Sequence, residues 1–308
     1  MLDVVLLGTS GTVPLPRRWL TSCFLRAIGK CVLIDCGEGT QIALNSHKLS
    51  FKSINTILLT HYHADHISGL PGLLLTMAKS DRTEPIAIYG PKGLEEVLDG
   101  VMKLAKYVPF PILYKEYLND EETIELDNMK IKAFKVKHSV PCYGYKVTIE
   151  RGRKFDVDKA KALNLPVNYW RKLQKGEEVE YEGNTYTPDM VLLEERKGIK
   201  FVYVTDTRPT EEIKEMSLDA DLLIAEGMYG DKEKEENAIK NKHMMMQESA
   251  LIAKEANVKE LWFTHYSPSV VNPDEYKDEI KEIFENVVIS RDGEKKTLKF
   301  EDEESSHV

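Results

Sequence analysis

Thr60-His61-Tyr62-His63-Ala64-Asp65-His66 is the stretch on which the reading of this chain turns. Three of the eight histidines and one carboxylate fall within it. It follows directly on the apolar run 54–59, which reads as a strand. On extended backbone, side chains two residues apart point to the same side, so His61 and His63 are expected to grip one ion together. Asp65 and His66 fall where the chain is expected to turn into a helix beginning at Ile67, and there they reach a second metal position. The plainer alternative is a surface loop with Asp65 as a helix N-cap. Imidazole and carboxylate without thiolate suit zinc, with manganese or iron as alternatives.

A catalytic zinc takes about three protein ligands plus water, so further ligands are required. His138 follows the strand-like run 131–136, Asp206 follows 201–205 and His265 follows 261–264. Each is a ligand-type side chain at the C-terminal end of an apolar strand, where active sites gather in layered sheets. His47 and His307 lack this setting and are expected to be solvent-exposed. Two metals about 3.5–4 Å apart favour hydrolysis of phosphoesters, amides or thioesters.

Outward from the cluster, strand-like and helix-like runs alternate along the whole chain. Strands are expected at 4–7, 31–34, 54–59, 86–89, 201–205, 220–225, 261–264 and 287–290, with 123–136 and 144–149 reading as hairpin strands. Helices are expected at 42–48, 67–78, 91–104, 248–255 and 274–285. This mixture predicts a layered α/β fold with antiparallel hairpins. No fixed-period repeat and no Gly/Ser linker divides the 308 residues, so one domain over 1–308 is the expected organisation.

Composition bounds the classes. Hydrophobic residues make up 42% and charged residues 30%, as in soluble globular proteins. The first residues, MLDVVLLGTSGTVP, carry no basic region ahead of a short apolar run, so no signal peptide is expected. No stretch approaches the roughly 18 apolar residues of a membrane helix, and a cytoplasmic location is expected. Cys23, Cys31, Cys36 and Cys142 form no C-x-x-C pair and read as small buried side chains in a reducing compartment. The net charge of −9 argues against a nucleic-acid partner at first sight, because phosphate contacts need Lys and Arg. The charge is segregated, however. Residues 151–175 carry eight bases and two acids, a local +6, which leaves −15 for the remainder. The tail around Glu301-Asp302-Glu303-Glu304 is acidic and expected to fray.

The Thr-His-x-His-x-Asp-His string, with His138, Asp206 and His265 at these intervals, resembles the metallo-β-lactamase superfamily. Within it, several motifs are similar to those of the ribonuclease Z family. They are Leu7-Gly8-Thr9-Ser10-Gly11-Thr12-Val13-Pro14 with Arg18, Asp35-Cys36-Gly37-Glu38-Gly39-Thr40-Gln41, His138 with Gly144-Tyr145, Val204-Thr205-Asp206-Thr207, and Glu226-Gly227-Met228-Tyr229. The resemblance runs from about residue 3 to about residue 290. It implies a four-layer αβ/βα sandwich with a protruding basic arm, the exosite, at about 150–185. It implies a zinc-dependent endoribonuclease that removes the 3′ trailer of precursor tRNA, with two zinc ions per subunit. His61, His63 and His138 would bind one ion, Asp65, His66 and His265 the other, and Asp206 would bridge them. Asp65 would also orient or deprotonate the attacking water, and His243 would protonate the leaving oxygen. A homodimer is implied, in which one subunit's arm serves the other's site.

Two departures favour an alternative on the same fold, a dizinc phosphodiesterase or other small-molecule hydrolase. Ser269 stands where the family usually has an Arg, and Arg18 is followed by Trp19 rather than Asn. A non-catalytic RNA-binding scaffold is a third reading, against which the complete ligand set argues. Arg18 and the arm residues Lys154, Lys159, Arg171 and Lys172 are the expected substrate contacts. Tyr169 and Trp170 are expected either to stack on a base or to pack under the arm's tip.

Overall fold

The computed structural model describes residues 1–301. Six strands open the chain: β1 (Leu2–Gly8), β2 (Ser22–Ala27), β3 (Lys30–Ile34), β4 (Ile54–Leu58), β5 (Ile86–Pro91) and β6 (Ile112–Tyr117). Then come β7 (Glu121–Leu126), β8 (Met129–Val136), β9 (Cys142–Ile149), β10 (Val179–Tyr181) and β11 (Asn184–Tyr186). The last five are β12 (Ile199–Val204), β13 (Leu222–Glu226), β14 (Leu261–Thr264), β15 (Val287–Val288) and β16 (Lys295–Leu298). They form two seven-stranded sheets, ordered β16-β1-β2-β3-β4-β5-β6 and β15-β14-β13-β12-β9-β8-β7, with β10 and β11 paired on their own. Each large sheet mixes an antiparallel part with a parallel part, β3 to β6 in one and β12 to β15 in the other.

The inner faces of the two sheets close on one apolar core. Leu2, Val4, Leu6, Leu25, Val32 and Ile34 meet Ile131, Tyr145, Val147, Phe201, Tyr203 and Ile224 there. Helices cover both outer faces. α1 (Thr40–Ser46), α2 (Ala64–Ile67), α3 (Leu70–Lys79) and α4 (Leu94–Leu104) lie on the first side, where Leu44, Leu73, Met77 and Leu98 pack against the outward residues of β1 to β5. After α5 (Val157–Ala162) and α6 (Val167–Gln174), the second outer layer comprises α7 (Glu211–Ser217), α8 (Glu235–Asn241), α9 (Met246–Glu255) and α10 (Lys277–Ile283). There Ile213, Ile252 and Ile280 pack on β12 to β14. These are the expected helix, sheet, sheet and helix layers.

Strands with both faces covered lose the alternation that marks a half-exposed strand. That explains why the continuous apolar runs 4–7, 31–34 and 261–264 are legible while β2, β6 and β16 are missed. Several boundaries move. The helix expected at 67–78 is two, α2 and α3, because Ser68 and Gly69 turn the chain and the Gly69 amide donates to Cys36 O at 2.8 Å. A Cβ at Gly69 would fall 2.2 Å from Gly37 O, so no larger residue fits this crossing. Strand pairing runs on through Pro91, which delays α4 to Leu94. The stretch 274–285 is a 3₁₀ turn, Pro273–Tyr276, followed by α10. All four cysteines are buried and free, as expected. Among the described residues no helix is long and apolar enough to cross a membrane. Asp302 to Glu304 and His307 lie outside the described residues.

Contacts divide the chain into two units, Met1–Ile149 with the chain from Ile199 onward, and Glu150–Gly198. The smaller unit therefore extends beyond the expected 150–185, because Phe155 pairs with Leu192 and Asp156 N donates to Val191 O. It has its own core of Ala160, Leu165, Leu173, Val179 and Val191, against which Phe155, Tyr169 and Trp170 pack. Tyr169 and Trp170 are thus structural. Trp170 Nε1 donates to Leu165 O at 2.8 Å, and its ring lies 5.5 Å from Phe155. Over the whole unit ten bases meet ten acids, a net charge of zero. Eight of those bases precede residue 176 and seven of the acids follow it. The positive charge belongs to the helical half alone, where Lys154, Lys159, Arg171 and Lys172 are all exposed.

Candidate metal centre

The side chains of the His61–His66 string gather at the C-terminal end of β4. The helix there starts at Ala64 rather than Ile67, with His63 as its N-cap. Asp65 and His66 therefore sit in its first turn, and Asp65 is not a cap. His138, Asp206 and His265 come in from the ends of β8, β12 and β14. Asp206 and His265 hold left-handed backbone, φ 52° and 56°, as does Asp35 after β3 at 57°. Non-glycine residues occupy that region only where the surroundings hold them, commonly at functional sites.

Three overlapping groups of candidate ligands result, the third being Asp206, His243 and His265. In the first, His63 Nδ1 lies 3.0 Å from His61 Nε2 and 3.3 Å from His138 Nε2. In the second, His66 Nε2 and His265 Nε2 are 3.2 Å apart, and Asp65 Oδ2 lies 3.3 Å from His265 Nε2. Asp206 faces both. Its Oδ1 is 3.8 Å from His61 Nε2 and 3.9 Å from His138 Nε2, whereas its Oδ2 is 3.1 Å from His66 Nε2 and 3.3 Å from His265 Nε2. The donor atoms of His61, His63, His138 and Asp206 all lie within 4.8 Å of one another, and so do those of Asp65, His66 and His265.

These residues fit divalent metal. Asp206 Oδ2 is buried and makes no hydrogen bond of acceptable geometry despite its close imidazoles. A buried unsatisfied carboxylate oxygen calls for a cation. Imidazole nitrogens facing one another at 3.0–3.3 Å likewise suit lone pairs converging on a shared ion. Carboxylates and imidazoles face one another closely across the site. Burial opposes the Asp206 carboxylate, but His265, His66 and His61 outweigh it and hold the group well below the usual range. Burial likewise opposes the charged form of His66, which Asp206 and Asp35 nonetheless push well above its ordinary value. His61 is driven down by burial and by His66.

A second ring of residues orients the ligands. Asp35 is fully buried and accepts from His66 Nδ1 at 2.8 Å and from Thr60 N at 2.8 Å. His138 Nδ1 meets Lys242 O at 3.2 Å. Such partners fix the tautomer, so that the other ring nitrogen keeps its lone pair for the ion. Thr12 N donates to Asp65 Oδ2 at 2.7 Å.

His243 is 8% exposed, so it is not a solvated helix-edge histidine. Its Nδ1 bonds Glu226 Oε2 at 2.8 Å and lies 3.8 Å from Asp206 Oδ1. Burial disfavours its charged form, yet Glu226 raises its pKa above the ordinary value. Glu226, fully buried at the end of β13, also accepts from Thr207 N at 2.7 Å. The motifs around Glu226 and Asp35 are visible in the sequence, but the roles of these two residues are not. Both are acids at strand ends, the signal that identified Asp206. Arg18, an expected substrate contact, spends both terminal nitrogens on Val270 O at 3.1 Å and lies over the Tyr266 ring. His47 is exposed just past α1, as expected.

Comparison with known proteins gives a consistent picture. Residues 2–165 match the family model described as Anti-Pycsar protein Apyc1. The chain is 51% identical to the ribonuclease Z of Lachnoclostridium phytofermentans, over 99% of this chain and 100% of that protein. It is 46% identical to the ribonuclease Z of Clostridium acetobutylicum, over 98% and 99%. Among solved structures, the short form of human tRNase Z superposes with a TM-score of 0.70 at 25% identity, covering 97% of this chain and 100% of that one. A diphosphatase of the PhnP family reaches 0.66 at 19% identity over 97% and 99%, a likeness of fold.

Proposed function

The chain belongs to the ribonuclease Z family (its first half falls also in the Anti-Pycsar Apyc1 family), and on that footing we propose that it is a metal-dependent endoribonuclease removing the 3′ trailer of precursor tRNA. The observation that carries the reading is Asp206, one carboxylate with an oxygen toward each of two ligand groups. In this reading His61, His63 and His138 would hold one zinc and Asp65, His66 and His265 a second, with Asp206 available to both. Bound there, such ions would lower the pKa of an attacking water and supply positive charge to the scissile phosphate.

The remaining work falls to the side chains. Asp65, held through Oδ2 by Thr12 N–H, orients the water and accepts its proton. His243, whose protonated form the Glu226 carboxylate favours, gives a proton to the departing ribose oxygen. Asp35 and Lys242 O hold His66 and His138 in the ligating tautomer. The arm binds the tRNA body through Lys154, Lys159, Arg171 and Lys172, all exposed on its basic half, by neutralising backbone phosphates. Arg18 serves the substrate chiefly by fixing its loop against Val270.

A cytoplasmic homodimer is the inferred assembly. It is supported by the exposed apolar residues Leu104, Tyr107, Leu113 and Leu118 around the end of α4 and β6. Sedimentation of the purified protein tests it, and a monomer at micromolar concentration would refute it.

Zinc-loaded protein incubated with trailer-bearing precursor tRNA and with a small phosphodiester tests the activity. The expected result is a single cut at the 3′ side of the tRNA body. Hydrolysis of the small ester alone would move the assignment to the small-molecule phosphodiesterase that Ser269 favours.

A further inference from the structure

The loop between β1 and β2, residues 9–21, is a zipped hairpin rather than a slack connection. Ser10 N donates to Trp19 O, and Leu15 and Arg18 exchange both backbone bonds, all at 2.9 Å. Its first leg, through Gly11 and Thr12, enters the candidate metal centre. Thr12 N donates to Asp65 Oδ2 at 2.7 Å, from a backbone at φ 69°. Gly11 passes so close to His265 that a Cβ would fall 2.7 Å from the ring. A threonine in left-handed backbone stays there only if the loop around it is held.

Tyr266 brackets the first leg, its N donating to Thr9 O and its O accepting from Gly11 N at 2.9 Å, Arg18 reaches Val270 O, and a carboxylate sits at the loop's base. Asp292 Oδ1 accepts from Thr9 Oγ1 at 2.8 Å, and its Oδ2 accepts from Trp19 N at 2.5 Å. One side chain thus ties the two legs together where they leave the sheet. Asp292 itself lies on the crossover from β15 in one sheet to β16 in the other, pinned where Gly293 N donates to Leu6 O at 2.7 Å. The loop is thereby referenced to both sheets, whose strand ends carry the ligands. Burial pushes the Asp292 carboxyl up to about 6, so the fold keeps an ionised acceptor there at a cost.

We infer that Asp292 is a positioning residue for the reaction: by clamping Thr9 and Trp19 it holds the Thr12 amide on Asp65. The inference rests on the reading that Asp65 handles the attacking water. The hydrogen bonds of Asp292 go to Thr9 and Trp19, neither of them a candidate metal ligand. Its effect is expected on turnover rather than on tRNA binding, and on any phosphodiester alike.

The test compares Asp292→Ala with Asp292→Asn. The amide of Asn still accepts from Trp19 N and can donate to the Thr9 hydroxyl, so it retains the clamp. The first measurement is hydrogen exchange in metal-free protein. The Thr12 amide should exchange roughly tenfold faster or more in Asp292→Ala, and near the wild-type rate in Asp292→Asn. The second is steady-state kinetics of the zinc-loaded enzyme on precursor tRNA and on bis(p-nitrophenyl) phosphate. In Asp292→Ala kcat should fall by roughly 10- to 100-fold on both, with KM for the tRNA unchanged, and Asp292→Asn should recover most of it. If Asp292→Ala does not fold, Thr9→Val against Thr9→Ser carries the same comparison, since only the serine keeps the hydroxyl. Unchanged Thr12 exchange, or a loss of rate that merely tracks the unfolded fraction, overturns the inference. Wild-type failure on precursor tRNA overturns the functional reading instead, and leaves the exchange result standing.

Discussion

Asp35→Asn is the sharpest perturbation of the metal centre, because it changes one charge and almost no volume. Asp35 receives three donors: Thr60 N on Oδ1, His66 Nδ1 on Oδ2, and the Thr60 hydroxyl on both, at 2.8–3.0 Å. An amide offers one acceptor and one donor. If its oxygen stays on Thr60 N, its NH2 faces His66 Nδ1, and that nitrogen must become the acceptor. The proton then moves to Nε2, the atom that faces His265 and Asp206, and His66 cannot ligate. If the amide flips, its NH2 faces the Thr60 amide donor, which leaves a buried clash. That costs about 1–3 kcal/mol. Loss of such an orienting partner typically weakens metal binding by roughly 10- to 100-fold. This converts to about 1.4–2.7 kcal/mol. Competition against a chromophoric chelator reads the affinity directly. Zinc should leave the Asp65, His66 and His265 group first, while the His61, His63 and His138 group keeps its hold. Thermal unfolding with and without excess chelator separates the effects. The variant should lose more stability in the presence of zinc than in its absence, by the binding deficit. Wild-type zinc affinity in Asp35→Asn would refute the argument that Asp35 sets the His66 tautomer.

Four further outcomes are expected. His243→Gln should lower kcat on precursor tRNA by about 10²–10⁴ with metal content unchanged. It should cost far less on bis(p-nitrophenyl) phosphate, whose leaving group needs no proton, and equal loss on both would remove His243 as the acid. Reversing charge at Lys154, Lys159, Arg171 and Lys172 should weaken cleavage of precursor tRNA by an order of magnitude or more at about 0.15 M salt and flatten its salt dependence. A small phosphodiester should be unaffected, and parallel losses would refute an arm that binds tRNA. Gly144→Ala should destabilise the fold by about 1–3 kcal/mol in urea unfolding. The added Cβ would sit 2.6 Å from Val204 Cγ1 and 2.7 Å from the Phe134 ring. Burial raises the Asp292 carboxyl from its ordinary 3.8 to about 6, so the unfolded chain releases that proton first. Wild-type stability should therefore fall as pH rises from about 4 through 6, by up to about 3 kcal/mol. Asp292→Asn lacks this contribution, and identical pH slopes in urea unfolding would contradict it.

The ligand string was legible because its spacing is a local property. Strand followed by turn places His61 and His63 together whatever the rest of the chain does. His138, Asp206 and His265 were legible for a related reason, each being a polar residue that interrupts an apolar run at its C-terminal end. Glu226 and Asp35 carry the same signature, and what hid them was the lack of any local cue to their partners. Asp35 lies 31 residues from His66, and Glu226 lies 17 from His243. The arm was legible as a charge run, but its extent was not. The closing bond from Asp156 to Val191 and the acidic second half of the unit depend on pairing across 35 residues.

By itself the sequence determined the α/β class, the buried thiols, the seven candidate ligand residues and the basic helical half of the arm. All of these follow from side-chain chemistry and from periods of two and 3.6 residues, which a linear reading contains. Only the tertiary structure decided the distances within each group of imidazoles, which oxygen of Asp206 faces which group, and that Tyr169 and Trp170 face the arm's own core. It also decided that a carboxylate near the end of the chain, Asp292, clamps a loop near its beginning, with 283 residues between Thr9 and its acceptor. Those are relations between strands brought side by side by burying two sheet faces against each other. The driving force is non-directional apolar burial, so the individual polar pairings that result appear only once the register of every strand is fixed.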